Sequence, residues 1–431
     1  MKLTLSLLLF ACAAAAHAAE SPATVDEALA HAKKAHAPVL LDFHAPWCYS
    51  CYFMATHVLN GKEWQAVENR TIVAAVDADS PDGAAWMAKL QVKALPAYVV
   101  LNENGAELGR IMAEQPREKF YPELDKILAG ANTLDDLQRK AAAGSTAALA
   151  TVLGSYQARG EGQQGLDWYA GLPPKIRSRT AHDKAITLWI DRLQLARAEK
   201  AKDDAGIVSA AQRVLAGDIG CDRPYVVDPL LEASAKSPSG DRALMLAQQK
   251  VQLDQLLWKE VFVAKPTCAD QRSIVMTTAD VDAALGDGAS EAALLNRAIE
   301  TVRGQLGDDF RKDRNAADNL RVYLTRAKRN DELDALYPKL IAAYPDDYVY
   351  PYRYGRSLLH RGQAEKALPL LAQAADKAYG ENRIAVAMVR VKALKALARQ
   401  GDAEKVVADV LEQNGKWFPE QVAKLKDALK S

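Results

Sequence analysis

The stretch "HAPWCYSCYFM", His44 to Met54, decides how the N-terminal part of this chain is read. It places two cysteines two residues apart, directly after a tryptophan. A lone Cys-x-x-Cys has three uses: thiol–disulfide exchange, a metal site, or a structural staple. The flanking sequence discriminates among them. Upstream, "APVLLDFHA" (Ala37–Ala45) is a short apolar run of strand type, opened by Pro38. Downstream, "CYFMATHVLNGKEW" has helical spacing, with Met54 and Val58 four apart, and is expected to be one helix. Cys48 therefore falls where a strand turns into a helix. Unpaired backbone N–H groups and the helix dipole favour an anion at that point. The first thiol should ionise readily there, and a thiolate is the species that attacks a disulfide. Cys51, one turn on, is placed to displace a mixed disulfide.

Outward from this segment the pattern continues. "RTIVAAVDAD" (Arg70–Asp79) is a second strand candidate, and Pro81 is well placed to start the helix "SPDGAAWMAKLQV". "ALPAYVVLNENGAELGRI" reads as a hairpin turning at Asn102–Gly105, and "QPREKFYPELDKILAG" (Gln115–Gly130) as a closing helix that Pro122 could break. The expected order is α-β-α-β-α-β-β-α.

With "DFHAPWCYSC" and "LPAYVVLNENG" in these positions, residues 21–130 resemble the thioredoxin family, in particular the C-terminal thioredoxin-like domain of the DsbD interchange proteins. The resemblance implies an α/β fold with a central mixed sheet flanked by helices. It implies that Cys48 is the nucleophile, that Cys51 resolves, and that Asp42, six residues before Cys48, moves protons for Cys51. It also implies a substrate groove at Trp47, Tyr49, Leu95 and Pro96, with Pro96 in the cis form. No cofactor is implied beyond the redox-active Cys48–Cys51 pair. The sequence departs from the family at several points. Tyr49 and Ser50 stand between the cysteines, Pro46 stands where an acidic residue is common, and Tyr52 stands where lysine is common. Ala97 follows the proline where threonine is common. The direction of electron flow is not set by these residues. A copper site using the dithiol with His44 or His57 is a competing reading, although no further cysteine pair at zinc-type spacing accompanies it.

From about Ala131 the sequence becomes helical in pattern, rich in Ala and Leu, with no strand signal. Residues 131–290 read as a helical domain and 291–431 as all-α repeats resembling the tetratricopeptide kind. "RNDELDALYPKLIAAYPDD", "RGQAEKALPLLAQAADKAYGEN" and "QGDAEKVVADVLEQNGKW" carry turns at Asn330, Gly362 and Gly401, 32 and 39 residues apart. Such a region is expected to bind or position a partner, or alternatively to be a closed helical domain with no binding groove; a competing reading makes it a protein-interaction scaffold in which the thioredoxin-like domain is non-catalytic. Tyr344, Tyr348, Tyr350, Tyr352 and Tyr354 serve either helix packing or a peptide partner.

The first residues, "MKLTLSLLLFACAAAAHAAE", read as a secretory signal (residues 1–18), with cleavage expected after Ala18 in "Ala16-His17-Ala18"; lipidation at Cys12 is the alternative. Removal of Cys12 leaves four cysteines in an oxidising, periplasmic or extracellular setting. Cys221 and Cys268 are expected to form a structural disulfide, the alternative being two free thiols. The sequence holds 55 basic and 55 acidic residues and no basic tract, which argues against nucleic acid as a partner. No apolar run after the leader is long enough to span a bilayer. The expected partners are protein disulfides or thiols and, in the reducing direction, a membrane electron donor of the DsbD type. No resident metal is expected in the redox reading.

Overall fold

In a computed structural model of the protein, residues 22–430 are described, apart from 237 and 415. The expected leader, residues 1–18 with Cys12, lies outside the described residues.

The sheet is built from β1 (Val39–His44), β2 (Ile72–Asp77), β3 (Ala97–Leu101) and β4 (Glu107–Met112), in the order β2-β1-β3-β4. β1 runs parallel to β2 and antiparallel to β3, and β4 returns antiparallel to β3 through the expected hairpin turn. Both faces of the sheet are covered, which is why β1 reads as a continuous apolar run rather than an alternating one. Strand alternation sends Val39, Leu41 and Phe43 to one face. There they pack with α1 (Val25–Ala35), through Ala28 and Ala32, and with Trp86 of α4 (Pro81–Leu90). Leu40 points to the other face, against α2 (Tyr49–His57), α3 (Gly61–Glu68) and α5 (Arg117–Gly130), through Met54, Val67 and Phe120. By the same alternation Asp42 falls on the α2 face, opposite Tyr98 of β3. A carboxylate thus lies between Leu40 and His44 on the face that α2 covers.

Two local expectations are corrected. The segment after Cys51 is two helices, not one, so the order is α-β-α-α-β-α-β-β-α. α2 ends because Asn60 folds back, its Nδ2 donating 2.7 Å to the Thr56 carbonyl, and Gly61 takes φ +76°, which redirects the chain into α3. The apolar spacing ran across this Asn-Gly break and concealed it. Pro122, in contrast, sits inside an unbroken α5.

From Leu134 onward every described element is helical. Three helix starts in the last third share a turn. Lys328, Gly362 and Ala398 take φ of +55°, +75° and +57°, each two residues before the helices Asn330–Ala343, Ala364–Ala375 and Gln400–Asn414. Gly401 is therefore not the turn residue but lies inside the third helix. The tyrosine-rich stretch serves packing. Tyr350 is fully buried and Tyr354 stacks on Tyr337 at 4.5 Å between ring centroids.

The helical remainder touches the thioredoxin-like part at well-separated places. The helices Leu134–Ala142 and Thr146–Ala158 lie along β4, and Arg159 pairs with the half-buried Glu107 at 2.8 Å. The helix Arg314–Arg326 packs on α2. The helix Gly380–Ala396 begins against the loop after β2, where the Glu381 amide donates 3.1 Å to the Asp79 carbonyl. These contacts set what surrounds the cysteine pair.

Candidate active site around Cys48 and Cys51

Cys48 and Cys51 are joined in a disulfide with their Cα atoms 5.2 Å apart. Cys48 is the N-cap of α2, and its Sγ accepts the Cys51 amide at 3.1 Å. The sulfur therefore occupies the position a capping oxygen usually takes, facing backbone N–H groups that the helix itself cannot satisfy. On reduction the same donors face a Cys48 thiolate, which they stabilise. Cys48 is 4 % exposed and Cys51 is half-buried, in a small apolar cluster with Ala45, Ala78, Met87 and Leu95. The Leu95–Pro96 bond is cis, and Pro96 is buried at the entry to β3. Trp47 is exposed and Leu95 and Tyr49 are half-buried, so of the expected groove residues only Pro96 is closed to solvent.

Tyr49 is placed differently. Its ring lies beneath the Arg272 guanidinium at 3.6 Å, and its hydroxyl is 3.4 Å from Asp270 and Ser273. Its carbonyl accepts 2.8 Å from Asn315. The structure thus turns Tyr49 toward the helical region. Trp47 is held by an indole N–H donated 2.8 Å to Asp79. His57 is engaged with Asp313 at 2.8 Å, and His44 bonds the Asp42 carbonyl at 3.1 Å. Cys221 and Cys268 are bonded, with their Cα atoms 5.6 Å apart, and Cys268 lies two residues before Asp270.

Three carboxyls near the pair are pushed toward neutrality. Burial raises Asp42 to about 6, and its Oδ1 has no hydrogen-bond partner. Burial, with Asp77 adding repulsion, raises Asp79 to about 6. Burial, with Asp270 adding repulsion, raises Glu114 to about 8, and neither of its carboxylate oxygens has a partner. Asp42 was legible from its spacing to Cys48. Glu114 and Asp79 were not, because each follows a strand and approaches the pair only through the fold. The missed contacts from the helical region, Arg272, Asn315 and Arg353, carry no local motif either. Carboxyls that titrate near neutrality beside a dithiol can give and take the protons that disulfide exchange moves.

The sequence profile of the Thioredoxin-like domain family matches residues 25–128. Over 89 residues the chain is 35% identical to the thiol:disulfide interchange protein DsbD of Klebsiella pneumoniae, covering 20% of this chain and 14% of that protein. Over 94 residues it is 29% identical to the thiol:disulfide interchange protein TxlA of Synechococcus elongatus, covering 21% of this chain and 47% of that protein. The match thus spans less than half the length of either relative. Among solved structures, a thioredoxin from Thermus thermophilus aligns at 32% identity over 24% of this chain and 83% of its own, with a TM-score of 0.23. The oxidoreductase DsbH aligns at 21% identity over 25% of this chain and 82% of its own, with a TM-score of 0.22. The N-terminal part of this chain, residues 25–128, is a thioredoxin-like domain carrying a Cys48–Cys51 pair.

Proposed function

We propose that the protein is an exported thiol–disulfide oxidoreductase that exchanges disulfides with protein substrates through Cys48 and Cys51. The observation that carries the reading is the Cys48 sulfur at the N-cap of α2, with the buried carboxyl of Asp42 on the sheet face below it. In the reducing direction, the Cys48 thiolate attacks one sulfur of a substrate disulfide. A mixed disulfide forms and the other substrate sulfur leaves and takes a proton. Cys51 then gives its proton to a carboxylate, Asp42 in this reading, and attacks Cys48 Sγ. The second substrate thiol is released, and two electrons have passed from the Cys48–Cys51 pair to the substrate. An external dithiol restores the pair; a membrane reductase of the DsbD type is a donor of that class. The reverse sequence oxidises a substrate dithiol.

Export rests on the leader read in residues 1–18. Among the described residues no helix is long and apolar enough to cross a membrane. The helical region is assigned the role of positioning the substrate. Supporting this, side chains of the helical region hold the carbonyls of Trp47 and Tyr49, on either side of Cys48, and the Glu381 amide holds that of Asp79.

The test is a protein-disulfide reduction assay with insulin as substrate and dithiothreitol as donor. Cys48→Ser is expected to remove all catalysed reduction, and Cys51→Ser to accumulate a covalent mixed disulfide through Cys48. Undiminished turnover by Cys48→Ser would reject the reading.

A further inference from the structure

Asp318, fully buried in the helix Arg314–Arg326, gathers three guanidinium groups: Arg272, Arg321 and Arg353. These arginines come from three helices, Gln271–Ala284, Arg314–Arg326 and Val349–His360. Their attraction holds the Asp318 carboxyl far below the usual carboxylate range, although burial opposes this. One carboxylate shared by three arginines leaves positive charge unmatched. Two of the three contact the residues on either side of Cys48. Arg353 Nη2 donates 2.8 Å to the carbonyl of Trp47, the peptide group that leads into Cys48. Arg272 stacks at 3.6 Å on the ring of Tyr49, the residue that follows Cys48. Cys48 is bracketed on both sides by cations anchored two to three hundred residues away in sequence.

We infer that Arg353 and Arg272, held by Asp318, are positioning residues of the redox site, through which the helical region stabilises the Cys48 thiolate. The inference rests on the exchange reading above. It also accounts for a departure in the sequence: Tyr52 stands where relatives often carry a lysine, and the cation is supplied from outside the thioredoxin-like domain instead. The other charges facing the pair are Asp42 from β1, Asp79 after β2, Glu114 after β4, and Asp270 beside Tyr49. Arg314 lies 4.1 Å over the Tyr52 ring but is matched by Asp347. His57 is matched by Asp313, and Tyr379 meets Asp77 at the far side of the Asp79 loop. Asp270 offsets one of the two unmatched charges of the Asp318 cluster. All these groups remain when a single arginine is replaced, so the variants isolate its charge.

The test uses the full chain, fully reduced, with the alkylation rate of Cys48 followed against pH by peptide mass spectrometry. That readout is specific for Cys48 even with Cys221 and Cys268 present. Arg353→Gln keeps a donor for the Trp47 carbonyl and removes the charge. Its midpoint for Cys48 is expected to rise by about one pH unit, a roughly tenfold loss of thiolate at lower pH. Arg353→Lys is expected to stay near wild type, and Arg272→Gln to shift in the same direction as Arg353→Gln. Arg272→Gln also serves if Arg353→Gln fails to fold. Unmoved midpoints in the folded glutamine variants would overturn the inference, as would a lysine variant displaced as far as the glutamine one. Those results leave exchange itself intact, because wild-type reduction of insulin is measured separately.

Discussion

Asp42 and Glu114 show how one residue's surroundings set its chemistry. Both are carboxyls that burial keeps neutral above the usual range, at about 6 and about 8. In the proposed mechanism Asp42 takes the Cys51 proton and must be ionised to do so, so the resolving step is expected to slow as pH falls through about 6. Asp42→Asn is expected to slow it by about tenfold near neutral pH and to abolish that acid limb. Stopped-flow release of product from a preformed mixed disulfide measures this. For Glu114 the folded pKa lies above the model-compound value of 4.5. Its burial is therefore free of penalty below about pH 4.5, and stability is lost as pH rises from there through about 8. Glu114→Gln removes the ionising group, so it should be more stable than wild type by several kcal/mol at about pH 9, with the advantage gone in acid. Denaturant unfolding at the two pH values checks it. The sequence showed Asp42 because six residues separate it from Cys48 within one strand-to-helix unit. Glu114 gave no such signal. It reaches the pair only because β4 lies beside β3 and the chain then bends at Ala113, where φ is +60°.

Among the elements, those of the thioredoxin-like part were largely readable, because apolar runs, the Asn-Glu-Asn-Gly turn and Pro81 each act locally. The division between α2 and α3 was missed where apolar spacing and turn chemistry pointed in opposite directions. The Asn60–Gly61 turn prevailed because a left-handed residue cannot sit inside a helix without breaking it. The Cys221–Cys268 bond closes a separation of 47 residues and ties the segment before the helix Pro224–Ala233 to the one before Gln271–Ala284. Replacing both cysteines by serine should cost about 4 kcal/mol in the chain-entropy model, read as a fall in the denaturant midpoint. Gly380 opens the helix Gly380–Ala396 with φ +51°, and a Cβ there would lie 2.0 Å from the Asp79 carbonyl oxygen. Gly380→Ala should therefore part the helix from the Asp79 loop. Hydrogen exchange is expected to speed up at the Glu381 amide, which donates to that carbonyl, and at the Trp47 indole.

For the whole molecule, the consequential feature is that the helical region returns to the redox loop from several directions. Asp270, Asn315, Arg353 and Glu381 all meet residues 47–49 or 79, though they are spread over more than a hundred positions. Helical periodicity shows that such helices exist and which face of each is apolar. It carries no information about which helix ends will meet a loop two or three hundred residues earlier. The helical region thus holds the loop on either side of Cys48, while Cys48 itself, 4 % exposed, packs among Ala45, Ala78 and Leu95 of the thioredoxin-like part.

Exchange requires that Cys48 and Cys51 form a reversible redox pair. Its most direct test is to equilibrate the full chain in glutathione buffers of graded potential and count thiols in the Cys48–Cys51 peptide by alkylation and mass spectrometry. The expected result is a reversible two-electron transition with a midpoint between the values of thioredoxin and DsbA, about −270 and −120 mV. A pair that stays oxidised or stays reduced across the whole series, whichever side it is approached from, would contradict it.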